Sequence, residues 1–542
     1  MNGVDGDARG GTSAGADRAS APAQCDVLVV GGGINGAGVA RDLSGRGFRV
    51  VLCEQDDLAG HTSSSSTKLI HGGLRYLEHR EFGLVRKALA EREVLLRSAP
   101  HLMRPLRFVM PHDPAMRPAW MIRVGLFLYD HLAHRALLPG SRAVRLGASH
   151  PAGATLKAQF TRGFEYSDVW VDDARLVVAN AMDAAARGAT IVTRCAVVAA
   201  AAGDGAWQVQ VRHADGRTQR LRARALVNAA GPWADRFLRS AVGARDVRPL
   251  RLVKGSHIVV PKLFDHPYPY FFQNPDGRIL FAIPYETSFT LIGTTDVDTR
   301  GADGAPALDD DELHYLCAAA SRWFARPVVP ADVVWHYSGV RPLLDDEHGN
   351  PAAVTRDYRL ALDAEGAPLL TVWGGKLTTY RRLAEEASDR LVAALGPPHA
   401  GAAGPWTAHA ALPGGDLGGW IETTGDPVRD FETFERALGR ALPDVAPPVR
   451  HRLARCYGAR VSLLLDGGTL GREIVPGVHE HELEHLRTHE WAHTLDDVLW
   501  RRTKLGLHLT AQQVAVLRSW WSMRDGAPAD GGTHPVHMDG RT

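Results

Sequence analysis

The 542-residue chain is short of cysteine, lysine, long apolar runs and net charge, and each shortage excludes something. Its five cysteines (Cys25, Cys53, Cys195, Cys317, Cys456) are scattered and form no C-x-x-C pair. That excludes a disulfide framework and points to a reducing compartment. No stretch approaches the ~18 consecutive apolar residues of a membrane span. An integral membrane protein is therefore excluded, while a surface-bound one is not. Lys+Arg is 62 against Asp+Glu 61, a formal charge of +1. Such balance excludes a nucleic-acid binder that works through an overall positive field. Seven of the basic residues are Lys and 55 are Arg. Apolar residues make up 45%, ordinary for a folded protein, and at ~100–200 residues per domain the length allows roughly two to four domains.

Residues 1–24 are mostly Gly, Ala, Ser and Asp with no apolar h-region, so they are not a secretory signal. Asp5, Asp7 and Asp17 argue against a mitochondrial transit peptide. A disordered tail is expected there and again at 524–542. Pro and Gly concentrate over 396–417 without strand or helix periodicity, which predicts a linker. A mainly helical C-terminal domain is expected over 418–523.

The first strong signal is near the start. Asp26-Val27-Leu28-Val29-Val30 has the form of a buried parallel strand. It runs into Gly31-Gly32-Gly33-Ile34-Asn35-Gly36, where Gly31, Gly33 and Gly36 fit G-x-G-x-x-G. A helical stretch follows, then a second strand (Arg49 to Cys53) ending at Glu54. The first glycine permits a tight turn, the second lets backbone N–H groups approach a pyrophosphate, and the third lets helix and strand pack closely. The helix N-terminus favours the phosphates. Glu54 stands where a carboxylate accepts from a ribose 2′-OH, and Gln55-Asp56-Asp57 offers no cation for a phosphorylated ribose.

The continuation separates FAD from a nicotinamide cofactor. Instead of further βα units comes a hydroxyl-rich run, Thr62-Ser63-Ser64-Ser65-Ser66-Thr67-Lys68-Leu69, leading to His71-Gly72-Gly73-Leu74-Arg75-Tyr76. Such a loop suits donation to phosphate and flavin edges. Ala225 to Asn228 forms a strand closing on Gly231. Leu369 to Trp373 is another, followed by Gly374-Gly375-Lys376-Leu377-Thr378 and a helix. This second glycine-rich turn makes another anion-seeking helix start, fit to stabilise charge on a reduced flavin. It is not a Walker A loop, because Leu377 stands where Ser or Thr must follow Lys.

At these residues the chain resembles the FAD-dependent, membrane-associated aerobic glycerol-3-phosphate dehydrogenases of bacteria. The supporting strings are GGGINGAG, SSSSTKLIHGGLRYLEH, RPAWMIRVGLFLYDHL, GFEYSDVWVDDARLV, NAAGPW, KGSHIVVP, IGTTDVD, YSGVRPL, TRDY, GGKLTTYR and DDVLWRRTKLGL. They run from about 25 to about 510. The resemblance implies an α/β fold: a glutathione-reductase-like FAD-binding Rossmann domain, a D-amino-acid-oxidase-like substrate domain and a helical C-terminal domain. The FAD domain would comprise 25–90, 160–235 and 335–395, with the substrate domain at 91–159 and 236–334 carrying a mixed or antiparallel sheet.

The resemblance also implies oxidation of sn-glycerol 3-phosphate to dihydroxyacetone phosphate, with electrons passing through FAD to a membrane quinone. Arg75 and Arg341 match the family's substrate-site arginines, and Arg offers a planar fork for phosphate oxygens. Arg356 is a weaker candidate. Lys376 would lie beside flavin and substrate. His257 is favoured as the base or hydroxyl-orienting group. His71 is its competitor, with shaping of the flavin site as an alternative role. For FAD the carried-over residues are Gly31, Gly33, Ile34, Asn35, Gly36, Glu54, Thr62, Ser63, Ser66, Thr67, Lys68, Leu69, Gly231, Lys376, Leu377 and Thr378. The strand Thr190–Val198 is expected to contact adenine through its backbone.

Two H-E-x-x-H strings, His481 to His485 and His489 to His493, would place two His on one helix face as zinc ligands. No G-x-x-H completes the pattern and no Glu follows Glu490, so a polar helical segment and no metal site are expected. The segment Arg117 to Asp130 has the composition of an interfacial amphipathic helix and equally of a core helix. The expected partners are thus sn-glycerol 3-phosphate, quinone, the inner face of the cytoplasmic membrane and, by resemblance, a second copy in a homodimer. The rival functions are an O2-dependent glycerol-3-phosphate oxidase and a non-catalytic flavoprotein that binds glycerol phosphate.

Overall fold

The computed structural model describes residues 23–78, 80–147, 150–247, 249–299, 306–343, 357–398 and 404–525. The chain opens with β1 (Gln24–Val30), α1 (Ile34–Gly45) and β2 (Val50–Cys53). β2 and most of β1 are buried, as parallel strands covered by helices on both faces must be. β1 pairs in parallel with β2 on one side and with Thr218–Asn228 on the other. Thr190–Val192 and Leu369–Trp373 extend the parallel core. Arg359–Asp363 adds an antiparallel edge, and Cys195–Gly203 with Ala206–His213 folds back as an antiparallel flap. The result is an eight-stranded sheet.

α1 is buried along most of its length between helices Asp173–Ala186 and Tyr380–Leu395. The approach is close enough to require a glycine, since a Cβ at Gly38 would lie 2.9 Å from Tyr380 Cδ2. Its buried Arg41 is neutralised by Asp183 at 2.6 Å. Arg46, just past its end, pairs with Asp42 and with Asp389. Without such partners the buried charges would cost several kcal/mol each.

The second sheet has ten strands and is antiparallel apart from one parallel contact, Tyr270 with Val109. Two of its members, Arg162–Val171 and Trp335–Leu343, lie in segments assigned above to the nucleotide domain. Both are largely buried, and an apolar run alone does not say which of two sheets a strand joins. Leu69–Ile70 also pairs into this sheet. The Thr62–Leu69 loop therefore leaves the first sheet and enters the second, and the site lies at that crossing.

The C-terminal region packs helices Pro427–Ala441, Pro447–Tyr457, Glu480–His489 and Ala511–Asp525 around Phe434, Leu438, Leu453, Tyr457, Leu486 and Trp520. The expected linker is not a loose connection. Trp406 Nε1 donates to Asp42 O at 3.2 Å, Thr407 donates to Glu385 at 2.9 Å, and Leu412 joins the core beneath α1. Residues 1–22 and 526–542, most of the two expected tails, lie outside the described residues. Among the described residues no helix is long and apolar enough to cross a membrane.

Candidate active site and cofactor cradle

The first glycine turn is built so that only glycine fits. Gly31 has φ +107°, and a Cβ there would lie 2.6 Å from Ala229 O. A Cβ at Gly36 would lie 1.9 Å from Gly31 O. Gly33 is the N-cap of α1, and no acidic side chain occupies its first turn. At the end of β2, Glu54 accepts from Gly32 N at 2.6 Å and from Asp56 N at 2.8 Å. Burial pushes its carboxyl up despite these donors. This is the cradle a dinucleotide needs: bare backbone and a helix start for the diphosphate, with a fixed carboxylate beside it.

The second turn meets the first. Asn35, in the opening turn of α1, donates from Nδ2 to Gly374 O at 3.2 Å across 339 positions of sequence. Gly375 has φ +103°, and a Cβ there would sit 3.0 Å from Asn35 Nδ2. Thr378 Oγ1 accepts from His71 N at 3.2 Å, tying the helix start to the His71–Tyr76 stretch. The Lys376 ammonium stands 3.7 Å from the ring centroid of Tyr76, next to Arg75. Arg75 is half-buried, and among the described residues no carboxylate pairs with its guanidinium.

The hydroxyl-rich loop spends most of its side chains on the protein. Thr62 Oγ1 donates to Val340 O at 2.7 Å, and Ser63 Oγ accepts from Ile34 N at 3.0 Å. Ser66 Oγ donates to Asp173 at 2.7 Å. Lys68 is buried, with its ammonium 2.8 Å from Asp173 and 3.0 Å from Ser64 O. Burial pulls that ammonium down from its ordinary value, with Asp173 opposing. In the expected cofactor loop the side chains of Thr62, Ser66 and Lys68 thus have partners within the protein. Leu69 is core, Leu377 is half-buried, and Gly231 opens the turn after Asn228 with φ +56°.

His257 lies on strand Arg251–Pro261, flanked in register by Gly293 and Tyr337. It is 1% exposed, and its Nε2 lies 3.0 Å from Thr67 Oγ1. Burial, with Arg341 and then Lys68 adding to it, holds the imidazole well below its ordinary pKa, so it is neutral at pH 7. Arg341, on Trp335–Leu343, pairs with Asp296 and donates to Thr294 Oγ1 at 3.0 Å. Room for its guanidinium exists because position 255 is glycine, where a Cβ would lie 2.4 Å from Nη2. The site thus gathers His71, Arg75 and Lys376 at one end, with Thr67, His257 and Arg341 where the loop enters the second sheet. Sequence reasoning missed Asp173, Thr294, Asp296 and Tyr337 as individual residues, although the strings WVDDARLV, IGTTDVD and YSGVRPL contain them. Arg356 lies outside the described residues.

The two H-E-x-x-H glutamates are committed elsewhere. Glu482 pairs with Arg452 at 2.8 Å, and Glu490 pairs with Arg175. Burial alone would raise the Glu490 carboxyl, but Arg175 and His485 bring it down to about 2. These are ion pairs that hold the C-terminal helices together and to helix Asp173–Ala186.

Two glycine turns that meet beside the parallel core of one sheet, with a loop crossing from it to a second, antiparallel one, are the marks of a flavoprotein oxidoreductase. The chain matches the model of the FAD dependent oxidoreductase family over residues 26–381 and belongs to that family, so its cofactor is FAD. It is 50% identical over 497 residues to the glycerol-3-phosphate dehydrogenase of Pseudomonas aeruginosa, covering 90% of this chain and 93% of that one. It is 47% identical over 502 residues to the aerobic glycerol-3-phosphate dehydrogenase of Escherichia coli, covering 91% and 97%. It is also 49% identical over 506 residues to the D-erythritol 1-phosphate dehydrogenase of Brucella abortus, covering 92% and 98%. Among solved structures, the glycerol-3-phosphate dehydrogenase of Bacillus halodurans complexed with FAD aligns with TM-score 0.69 and 26% identity, over 92% of this chain and 90% of that one. The family resemblance read from the motifs and the α/β flavoprotein fold are both borne out.

Proposed function

We propose that the chain oxidises sn-glycerol 3-phosphate to dihydroxyacetone phosphate and passes the electrons to a membrane quinone. The observation that carries the reading is a neutral imidazole beside Arg341, with Lys376 against Tyr76 at the joined glycine turns. Its support is the activity named for relatives that span nine-tenths of this chain.

In this reading Arg75 and Arg341 bind the phosphate dianion and fix the substrate by its far end. Lys376 would help hold the cofactor and supply positive charge that favours its reduced form. Bound FAD supplies the acceptor for the C2 hydride. His257, held neutral by burial, accepts the proton of the C2 hydroxyl, directly or through Thr67 Oγ1 on its Nε2. His71, the competing candidate for the base, is tied through its backbone N–H to Thr378.

Contact with the bilayer is assigned to helix Ala119–His131. Its inner face buries Ile122, Leu126 and Tyr129. Its outer face exposes Trp120 (67%), Met121, Val124, Phe127 (53%) and Leu128. An outward apolar stripe with an aromatic at its start, bordered by Arg117 and Arg123, is what an interfacial helix presents to lipid headgroups. This surface would hold the chain on the inner face of the cytoplasmic membrane, where a quinone is within reach.

The relative from Brucella abortus favours a second substrate reading, a polyol phosphate one carbon longer. The test is an anaerobic flavin-reduction series with sn-glycerol 3-phosphate and D-erythritol 1-phosphate, followed by reoxidation with a ubiquinone analogue or with air. Faster reduction by sn-glycerol 3-phosphate and faster reoxidation by quinone are expected. Preferred reduction by the tetritol phosphate would move the substrate, and reoxidation governed by air would make the chain an oxidase.

A further inference from the structure

We propose that Trp500, in the C-terminal helical region, is a positioning residue for the imidazole of His257. This rests on the reading above, in which that imidazole takes the substrate's hydroxyl proton. Residue 500 lies beyond the family model, which ends at 381. The C-terminal region is therefore an addition to the shared flavoprotein core.

The connection is a row of rings. The His257 ring stacks on Tyr337 with centroids 4.8 Å apart and planes 17° from parallel. Tyr337 packs on Trp335, its same-face neighbour two residues earlier on the strand, at 5.1 Å. Trp335 stacks on Trp500 at 4.8 Å and 14°. Across from Tyr337 the His257 ring leans over Gly293, where a Cβ would lie 2.0 Å from its Cδ2. The Tyr337 hydroxyl donates to Ser66 O at 2.8 Å, one residue before the Thr67 that meets His257 Nε2. Outside Thr67, the imidazole's position is set by packing alone, because its Nδ1 has no hydrogen-bond partner among the described residues.

Trp500 can act as a fixed stop because its own place is fixed. Its ring lies over Gly506, where a Cβ would come 2.5 Å from Cζ2. Its carbonyl accepts from Lys504 Nζ at 2.8 Å. The next two residues both reach Asp57 in the loop after Glu54, Arg502 with two bonds of 2.7 Å. Asp497, at the start of the same turn, holds Arg194 at 2.8 Å. The segment is thus anchored to the nucleotide domain by charge and presses on the substrate sheet with a flat ring. Removing that ring gives Trp335 and Tyr337 freedom to tilt, and His257 with them.

The test uses FAD-loaded full-length enzyme and anaerobic single-turnover reduction by glycerol 3-phosphate. Trp500→Leu should lower the limiting reduction rate about tenfold, with half-saturation and FAD content unchanged. Trp500→Phe should restore most of the rate, since a ring and not mere volume is needed. In a His257→Asn background, Trp500→Leu should add no further loss. The histidine-ring NMR signal of His257, assigned by its absence from His257→Asn, should shift or broaden in Trp500→Leu and return in Trp500→Phe. If Trp500→Leu does not fold, Trp335→Leu breaks the same stack from the other side and must give the same pattern. A wild-type rate, equal losses with Leu and Phe, or losses that multiply with His257→Asn would each overturn the proposal. A wild-type rate in His257→Asn itself would instead overturn the role given to His257.

Discussion

Replacing Arg341 with Ala should do more than remove a phosphate ligand, because the guanidinium also neutralises Asp296. Losing the charged hydrogen bonds to the phosphate costs about 1.5–3 kcal/mol. The Asp296 carboxylate then faces the dianion without its guanidinium. At ~6 Å and an effective dielectric of ~40–80, the two negative charges of the dianion together cost about 1.5–3 kcal/mol. Together these raise the half-saturating glycerol 3-phosphate concentration by roughly 10²–10⁴. The second contribution can be removed separately. Arg341→Ala with Asp296→Asn should recover roughly 10- to 100-fold of the loss. Arg75 has no carboxylate partner among the described residues, so Arg75→Ala should cost only the first contribution, roughly 10- to 100-fold. The assay is anaerobic bleaching of the flavin band against substrate concentration. An unchanged half-saturation in Arg341→Ala, or a double variant worse than the single one, would refute the reasoning.

Three further outcomes are expected. Gly36→Ala should leave a chain that cannot retain FAD, because the added Cβ would lie 1.9 Å from Gly31 O, and a full flavin spectrum after purification would contradict the cradle. His257 is protonated in the unfolded chain near pH 6.5 and stays neutral when folded, so stability is full above that pH and falls below it by about 1.4 kcal/mol per unit. His101, pushed down to about 3 by burial, adds a slope of the same sign, and His257→Asn should flatten the fall in thermal stability from pH 7 to pH 5. Trp120→Glu with Phe127→Glu should abolish flotation with anionic liposomes while anaerobic reduction by glycerol 3-phosphate continues at the wild-type rate. Undiminished flotation would move the membrane surface elsewhere.

The sequence was most legible where one residue type alone satisfies the backbone. The turn at Gly31–Gly36 and the carboxylate at Glu54 could be read directly, because bare backbone beside a helix start has few other uses. The meeting of Gly374 with Asn35 was legible only as two anion-seeking turns, since nothing local in either reports a contact across 339 positions. The strands Arg162–Val171 and Trp335–Leu343 were misplaced because being buried does not name the sheet. Lys68 was read as a cofactor ligand from its place in the loop; its ion pair with Asp173 was not legible there, because it depends on a helix a hundred residues away. The packing of the linker stretch was illegible for a related reason: Trp406 and Leu412 were apolar signals inside a Pro- and Gly-rich stretch, and their contact with α1 and its core is tertiary. The outer face of helix Ala119–His131 could not be told from a core face, because both of its sides are apolar.

The most direct measurement of the central claim is the flavin content of the purified chain, followed by anaerobic titration with sn-glycerol 3-phosphate. One FAD per chain is expected, with bleaching of its visible band complete at saturating substrate. A colourless chain that cannot be reconstituted with FAD, or a yellow one whose band this substrate leaves intact, would contradict it.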